Sequence, residues 1–359
     1  MNYGKEIKSV GVGFLLGLLL AAIWLVFPLP EALAAQGESE LTAKLIEGAR
    51  KEGKVVWYAS IGLEDGNELM KRFHEKYPFI ATQIFRTGGE GMFTKVMAEA
   101  RAERHLWDVL CTTPVESLLI QKKGLLAKYL SPQRNFFPEG FKDLEGYWTD
   151  LYVNLNVVGY NTRLVSAKQA PRAWSDLLDP RWKKKMGMDT RPFYWFAGML
   201  KIMGEKKGLD YMEKLSQQEI TFRTGRVVTT QLMAAGELSI GITQHNQRVE
   251  EMKGRGAPIE WVAIEPVIAE IHPVALSAHA PHPYAAKLFV DYLLSKEGQS
   301  IMAKFYRVPS RNDVDPVVPR LTTKGMNIMP FDPSIANEYE KYVSLYRKIF
   351  LSSRGKQNP

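Results

Sequence analysis

Gln244, His245 and Asn246 are three side chains that can donate and accept hydrogen bonds without carrying a fixed charge. They follow Leu238–Thr243, where apolar residues alternate with small ones, a pattern that predicts a short buried strand. Ligands of open α/β sheets are held beyond the carboxyl ends of the strands. We therefore expect Gln244 and His245 to contact a ligand, with simple surface exposure as the alternative for His245.

A second group of residues suits an anion. Arg86, Thr87 and Gly88 stand between a predicted strand and a predicted helix that begins near Glu90. Glycines at a helix start leave backbone N–H groups open to an anion, and an arginine fork matches carboxylate or phosphate. We expect these three residues to bind the ligand. The alternative is an ordinary helix start, with Thr87 as the N-cap and Arg86 on the surface.

Two further helix starts repeat this chemistry. Thr190 and Arg191 precede a proline at the start of a predicted helix and predict a matching anion site. Capping by Asp189 or Thr190 is an equally consistent role for that segment. Arg226 follows Gly225 at another helix start and is a third candidate.

Three hydroxyl side chains complete the candidate ligand-binding set. Ser60 follows the first predicted strand, and Thr112 and Thr113 follow the strand that ends at Cys111. Each hydroxyl could donate a hydrogen bond to a ligand beyond the strand ends. For Ser60, capping of the local backbone is the alternative.

Metal and nucleophilic chemistry have weaker support in the sequence. His279 and His282 have a spacing seen in metal sites, but Pro281 and Pro283 keep them from sharing a helix face. Cys111 is the single cysteine, so no internal disulfide can form, and its neighbours offer no base to activate a thiolate. We expect no metal, no cofactor and no catalytic residue.

The elements that position these candidates alternate between strand and helix patterns. Strands are predicted at Lys54–Ser60, Ile80–Phe85 and Asp108–Cys111. Helices are predicted at Leu41–Glu52, Asn67–Lys76, Glu90–Arg104 and Pro114–Lys123. This order predicts the α/β class, with a mainly parallel sheet covered by helices on both faces.

The first 34 residues have the pattern of an export signal. Lys5 and Lys8 precede the uncharged run Val10–Phe27, and the Ala-Leu-Ala sequence at 32–34 is a small-x-small cleavage site. Cleavage after Ala34 would leave about 325 residues, enough for two domains. We expect a periplasmic protein, with an uncleaved membrane anchor as the alternative.

The charge distribution gives no sign of a nucleic-acid partner. The net charge of +8 is spread along the chain, without a dense basic stripe interleaved with aromatic residues. A field of this sign attracts small anions instead.

Three phrases resemble a known family in the same order along the chain. They are GELSIGIT at 236–243, the series NTRLV and APRAWSDLLDPRW within 161–182, and AAKLFVDYLLSKEGQ at 285–299. Each is similar to a phrase of the family 1 extracellular solute-binding proteins that serve ABC importers. The resemblance covers about residues 41–312.

This resemblance implies a two-lobed type II periplasmic-binding-protein fold. Each lobe is expected to contain a mainly parallel sheet flanked by helices. Residues 41–155 with 270–359 would form lobe 1, and 156–268 would form lobe 2. The chain would cross between the lobes at Leu151–Asn161 and return at Ile264–Ser277.

The ligand is expected to differ from that of the iron(III)-binding members the chain resembles. Those members follow the signature with two tyrosines that grip ferric iron, whereas Asn246 and Gln247 stand at those positions here. They also present a histidine on the first loop, and none occurs near Ser60. Ferric iron favours anionic oxygen ligands, so these differences favour a small organic anion such as a phosphonate, a phosphorylated compound or a carboxylate.

The resemblance also implies partners and leaves alternatives. We expect a monomer that binds a small molecule and docks on the membrane permease subunits of an ABC importer. One alternative is an iron receptor in which an exogenous anion or chelator supplies the missing oxygens. Another is a ligand-sensing protein that serves a different membrane partner. An enzyme built on Cys111 is the third, and we expect no such activity.

Overall fold

A computed structural model describes residues 29–329 and 331–352, with side chains described from residue 40 onward. The described residues divide into two units, one that ends at Lys44 and one that begins at Leu45. Most of the predicted leader lies outside the described residues, and residues 29–34 belong to the first helix. In the part of the chain that is described, no helix combines the length and apolarity of a membrane span.

The helices of the described residues lie mostly where the sequence predicts them. They are α1 (Leu29–Glu52), α2 (Leu63–Lys76), α3 (Gly89–Arg101), α4 (Pro114–Lys122), α5 (Phe193–Met203), α6 (Glu205–Ser216), α7 (Arg226–Ala235), α8 (Asn246–Gly254), α9 (Pro283–Leu294), α10 (Lys296–Lys304) and α11 (Tyr339–Tyr346). The predicted start of the first helix at Leu41 is wrong, because α1 begins at Leu29. Pro30 falls in the first turn of that helix, where proline is tolerated.

The strands are short except for two. They are β1 (Lys54–Ala59), β2 (Ala81–Arg86), β3 (Val109–Cys111), β4 (Leu126–Ala127), β5 (Trp148–Asn161), β6 (Met186–Asp189), β7 (Thr221–Arg223), β8 (Ile240–His245), β9 (Ile259–Val262), β10 (Val267–Ser277), β11 (Val308–Pro309) and β12 (Ile328–Met329). The long strands β5 and β10 are buried along their whole length.

The sheet has two outer parts, called wings here, and the strands within each wing are parallel. Antiparallel strands join the two wings at the centre of the sheet. Its order is β2-β1-β3-β10-β5-β8-β6-β7. Strand β1 pairs in parallel with β2 and β3 in one wing, and β6 pairs in parallel with β7 and β8 in the other. Strands β10 and β5 pair with each other and with their outer neighbours in the antiparallel sense. The predicted parallel arrangement therefore holds within each wing.

Strand β5 runs through both wings. Its first part pairs with β10 and β11, through residues such as Val153. Its last part, from Asn156 to Asn161, pairs with β8 and β9. One continuous strand therefore belongs to both halves of the sheet.

Each half has its own hydrophobic core. In the first wing, Trp57, Phe73 and Phe289 are fully buried and pack edge to face, with ring centroids 5.3 Å and 4.9 Å apart. Such pairs add about 0.5–1.5 kcal/mol each beyond the burial of their surface. The larger core extends through the second wing and includes Trp195 and Phe196 of α5.

The last helix of the described residues packs on the second wing. Tyr346 contacts the rings of Phe193 and Phe196 of α5, and its hydroxyl donates to the carbonyl of Asp189 at 3.1 Å. Phe350, in the π-helical turn after α11, contacts Phe196 as well. The chain thus returns to the second wing after residue 338.

Candidate functional site

A cleft of about 790 Å³ lies between helix starts that belong to the two wings. Its first wall consists of residues ahead of and within α3 and α4, and its second wall of residues at the starts of α5 and α7. Glu270 of β10 and Tyr339 of α11 complete the lining. The lining residues are Thr87, Gly88, Gly89, Glu90, Gly91, Thr94, Lys95, Ala98, Thr113, Pro114, Val115, Glu116, Asp189, Arg191, Phe193, Tyr194, Arg226, Glu270 and Tyr339.

The first wall depends on a close approach between two helix starts. A Cβ atom on Gly89 would lie 2.0 Å from the Oγ1 atom of Thr113, so only glycine fits there. Gly88, with an extended backbone, is the N-cap of α3 and makes no side-chain cap. Helices α3 and α4 therefore bring two sets of N-terminal N–H groups to one wall, where anions are favoured.

Glu116 is a carboxylate of this wall that sequence reasoning missed. It stands three residues after Thr113, the N-cap of α4, and the Thr113 hydroxyl donates to its Oε2 atom. Burial raises the pKa of Glu116, and the hydrogen bond from Thr113 acts in the opposite direction. The T-x-x-E spacing is a signature of helix starts and could have drawn attention to the residue.

Asp189 organises the second wall. Its Oδ1 atom accepts from the backbone N–H groups of Arg191 at 3.2 Å and Gly225 at 3.3 Å, and from the Thr190 hydroxyl at 3.5 Å. This carboxylate thereby ties the loop before α5 to the loop before α7. The N-cap of α5 is Pro192, without a side-chain cap hydrogen bond, so Asp189 links two loops and does not cap that helix.

A buried ionic cluster lies beside the crossing strand β10. The Nη2 atom of Arg226 is 3.3 Å from the Oε2 atom of Glu270 and 3.3 Å from the Oδ1 atom of Asn156. The Nε2 atom of His245 lies 3.7 Å from the same Glu270 oxygen, beyond hydrogen-bond distance. The side chains of Arg226 and Glu270 are 16% and 8% exposed.

Burial and charge oppose each other in this cluster. Burial alone would raise the pKa of Glu270, but the charge of the Arg226 guanidinium outweighs burial and holds that pKa below its ordinary value. Burial, reinforced by the charge of Arg226, lowers the pKa of His245 to about 4. At neutral pH the cluster therefore contains an arginine cation, a carboxylate anion and a neutral imidazole.

A second ion pair joins the two walls near the surface. The Nη1 atom of Arg191 lies 3.3 Å from the Oε2 atom of Glu90, and the two side chains are 52% and 75% exposed. Solvent screens such a pair, which contributes about 0–1 kcal/mol. The contact shows that α3 and the loop before α5 meet across the cleft.

The structure brings five of the predicted site residues together in the cleft and leaves six outside its lining. Those in the lining are Thr87, Gly88, Thr113, Arg191 and Arg226, and those outside it are Ser60, Arg86, Thr112, Thr190, Gln244 and His245. Whether any of the eleven contacts a ligand remains a prediction.

Local contacts account for the position of most of the six predicted residues that lie outside the cleft lining. The Nε atom of Arg86 donates to the carbonyl of Ile61 at 3.2 Å, so this side chain turns away from the start of α3. Thr112 is fully buried, and Ser60 donates its backbone N–H to the carbonyl of Cys111 at 2.8 Å. Thr190 faces the Oγ1 atom of Thr224 at 3.4 Å.

A bulge in β8 turns Gln244 inward. The predicted strand Leu238–Thr243 lies at Ile240–His245, so Gln244 and His245 are inside the strand and not beyond it. Thr243 has a φ of 59°, which is rare for a β-branched residue, and the register with β5 shifts nearby. The Gln244 amide consequently packs under Gly241 and accepts from Thr230 at 2.6 Å.

Two other lining residues were also missed for physical reasons. Glu270 is a charged residue inside the apolar run Val267–Ser277, and a buried carboxylate in a strand is a signal that could have been used. Tyr339 comes from a helix that is distant in sequence from the rest of the cleft. No pattern in the sequence links it to the other lining residues.

Metal binding and thiol catalysis find little support in this geometry. Among residues 40–329 and 331–352, no group of three or more His, Cys, Asp or Glu side chains is placed to hold a metal ion. Cys111 is buried, and burial raises the pKa of its thiol. Its Sγ atom lies 3.6 Å from the carbonyl of His272, and the residue belongs to the hydrophobic core of the first wing.

Helix starts from both wings line one cleft, and two long antiparallel strands join the wings. This arrangement is that of a two-lobed ligand-binding protein. A model of the bacterial extracellular solute-binding proteins matches residues 117–326. The chain belongs to this family of solute-binding proteins, which confirms the resemblance in the sequence.

Relatives and solved structures agree with this assignment. A periplasmic protein of Salmonella typhimurium, whose name proposes 2-aminoethylphosphonate binding, is 27% identical over 282 residues, covering 74% of this chain and 81% of its own. Iron-bound HitA of Pseudomonas aeruginosa is 21% identical with a TM-score of 0.74, over 83% of this chain and 99% of that one. AfuA of Actinobacillus pleuropneumoniae, with exogenous fructose-6-phosphate bound, is 24% identical with a TM-score of 0.72, over 83% and 98%.

The two solved structures confirm the predicted fold class. At these identities the likeness concerns the fold alone. The chain therefore has the two-lobed architecture of the periplasmic binding proteins.

Proposed function

We propose that this protein captures a small organic anion in the periplasm and delivers it to an ABC importer. The anion is a phosphonate, a phosphorylated compound or a carboxylate. The observation that carries the proposal is Arg226, a cation at the start of α7 that lines the cleft. Its Nε atom has no hydrogen-bond partner among the described residues.

Arg226 is suited to an anion by its position as well as its charge. Helix starts concentrate unpaired N–H groups and the positive end of the helix dipole. Helices α3, α4, α5 and α7 all begin at the cleft. A phosphonate, phosphate or carboxylate seated there would accept from backbone N–H groups and from the guanidinium fork.

Named relatives support the same class of ligand. The Salmonella protein is named for a phosphonate, and AfuA was seen with a phosphorylated sugar. The structure of HitA has iron bound, and ferric iron favours phenolate and carboxylate oxygens. An iron receptor that uses an exogenous anion is the alternative within the family.

Capture would follow from closure of two lobes about the crossing strands β5 and β10. The proposed lobe 1 is 41–155 with 270–359, and lobe 2 is 156–268. The contacts of Tyr346 and Phe350 with α5 favour moving residues 339–351 into lobe 2. A ligand that touches both walls binds the closed state better and so shifts the lobes toward it.

Export, assembly and docking complete the proposal. The leader at residues 1–34 would direct the chain to the periplasm, with retention as an uncleaved anchor as the alternative. The protein would act as a monomer and present its closed form to permease subunits in the membrane. Family members are binding proteins, and we propose no enzymatic activity for this chain.

A thermal-shift screen tests the ligand class. Purified protein would be heated with phosphonates, phosphorylated compounds, carboxylates and ferric citrate in parallel. A true ligand at one hundred times its Kd stabilises the protein by about 2.7 kcal/mol. Stabilisation by a phosphonate or phosphate supports the proposal. Stabilisation by ferric citrate alone, with a visible charge-transfer band, overturns it.

A further inference from the structure

A segment that precedes α11 contacts both walls of the cleft. Residues 331–339 run from Phe331 through a 3-10 turn to Tyr339, the first residue of α11. The Phe331 side chain is buried, and its ring centroid lies 6.1 Å from that of Trp148, at the start of β5, and 6.1 Å from that of Tyr194 of α5. One buried ring therefore touches an aromatic residue of each wing.

An ion pair and aromatic contacts attach this segment to the second wall. Lys201 of α5 donates to the Oγ atom of Ser334 at 2.9 Å and lies 3.6 Å from the Oδ2 atom of Asp332. The ring of Tyr339 contacts that of Phe193, with centroids 6.1 Å apart. Buried rings of α11 and of the turn after it also pack on α5, so the segment is anchored to α5 where it ends.

The contacts of the same segment with the first wall follow helix α4. Near the end of that helix, the Nζ atom of Lys122 donates to the Oδ1 atom of Asn337, and both residues are exposed. The 3-10 turn packs against α4, and its Ile335 is fully buried in a hydrophobic core to which α4 contributes. At the start of α4, Glu116 lines the cleft together with Tyr339. The segment therefore lies along α4 from its last turn to the cleft.

The two sets of contacts differ in strength. On the α5 side, buried aromatic rings and an ion pair attach the segment. On the α4 side, apolar contacts of the turn are joined by an exposed hydrogen bond, which competes with water. When the walls separate by rotation about β5 and β10, the segment cannot keep both sets of contacts. The weaker contact with α4 is then the one that breaks.

We propose that residues 331–339 form a latch, which remains on α5 and releases α4 when the cleft opens. In the closed state the latch contacts both walls and places Tyr339 in the lining of the cleft. Contacts that exist in one state only shift the equilibrium toward that state. The latch therefore favours closure before a ligand binds and slows the release of a bound ligand. This inference rests on the lobe closure of the proposed function and adds a third contact between the walls to the two crossing strands.

Single-molecule energy transfer in the ligand-free protein tests the latch without a ligand. Dyes on Lys71→Cys of α2 and Lys206→Cys of α6, both exposed positions, report the separation of the two wings. Asn337→Ala removes the hydrogen bond to α4 and should raise the ratio of open to closed molecules about 2- to 12-fold, the range expected for one hydrogen bond. Ser334→Ala is the matched control, since it removes a hydrogen bond of the same segment to α5, where Asp332 and the aromatic rings remain. It should leave the ratio unchanged.

A cross-link tests the latch in the presence of a ligand. Lys122→Cys and Asn337→Cys, joined by a short bis-maleimide, would tie the latch to α4, whereas Cys111 is buried and should not react. The protein is loaded with 2-aminoethylphosphonate before cross-linking, and release is followed by stopped-flow tryptophan fluorescence. Release should slow about tenfold or more relative to the same variant without the linker. Urea denaturation of the unlinked variant shows whether the fold is retained.

The outcomes distinguish the latch from the proposed function. If Asn337→Ala leaves the ligand-free ratio unchanged, or the cross-linked protein releases 2-aminoethylphosphonate as fast as the unlinked protein, the latch is wrong and the organic-anion function stands. If phosphonates, phosphorylated compounds and carboxylates all fail to bind while Asn337→Ala still raises the ratio, the organic-anion function is wrong and the latch stands.

Discussion

Replacement of Arg226 by glutamine tests the centre of the proposed site. In the cluster the guanidinium lies 3.3 Å from the carboxylate of Glu270, with the two side chains 16% and 8% exposed. An anionic ligand that accepts from Arg226 would lose a charge-assisted hydrogen bond worth about 1.5–3 kcal/mol. We expect Arg226→Gln to weaken 2-aminoethylphosphonate binding by about 10- to 150-fold, measured by isothermal titration calorimetry.

The same substitution should reduce stability, because it leaves Glu270 buried without its cation. Removal of one partner from a buried pair costs about 3–5 kcal/mol, and we expect the lower end because the cluster borders an open cleft. Urea denaturation gives the free energy of unfolding directly.

The loss of Arg226 also reverses the pH dependence contributed by Glu270. In the wild type the pKa of Glu270 is below its ordinary value, so its contribution to stability is present above about pH 4.5 and is lost as the pH falls through the folded-state pKa. Without Arg226, burial would dominate and raise that pKa. Stability of the variant should then decline as the pH rises from about 4.5, and a further Glu270→Gln substitution should remove the decline.

Arg163→Gln provides the matched control, since Arg163 is exposed and outside the cleft. It removes the same charge and should leave both affinity and stability unchanged. If Arg226→Gln binds the ligand within twofold of the wild type, Arg226 is not the anion contact and the reasoning fails.

Three further substitutions probe other parts of the structure. Glu90→Gln breaks the exposed pair with Arg191 and should change the free energy of unfolding by less than about 1 kcal/mol in urea; a larger loss would mean that the pair is not screened. Phe350→Ala removes a buried ring beside α5 and should cost about 3–5 kcal/mol in the same assay, whereas a negligible loss would place the last helix elsewhere. Burial lowers the pKa of His272 to about 3, so the free energy of unfolding should fall as the pH drops below about 6.5 toward 3. His272→Gln should flatten that decline, and an unchanged slope would contradict the prediction.

The sequence predicts the secondary structure well where the hydrophobic period is clear. Strands such as β3, predicted at Asp108–Cys111 and observed at Val109–Cys111, are short apolar runs followed by turn residues. Helix α4 has a proline in its first turn and ends one residue before its predicted end at Lys123. These patterns depend only on neighbouring residues, so a single sequence is enough to recognise them.

The orientation of side chains at strand ends depends on contacts with residues that are distant in the sequence. The bulge at Thr243 moves Gln244 onto a buried face, and no residue type in GITQHN specifies it. Arg86 turns toward the carbonyl of Ile61, which lies in a different loop. Five candidates at helix starts line the cleft, whereas Arg86 and Thr190, which also stand at helix starts, do not.

The acidic side chains of the cleft lining are not recognisable as a group in the sequence. Glu116 and Glu270 come from a helix start and from a crossing strand, and they meet only in the folded chain. Tyr339 joins them from a helix near the end of the described residues. Their proximity depends on the topology of the sheet.

Direct titration of the purified protein with 2-aminoethylphosphonate, and separately with ferric citrate, tests the central claim. The proposed function predicts saturable binding of the phosphonate at one molecule per chain, abolished or strongly weakened by Arg226→Gln. Binding of ferric citrate with a visible charge-transfer band, together with no heat from 2-aminoethylphosphonate or the other phosphonates, phosphates and carboxylates, would contradict it.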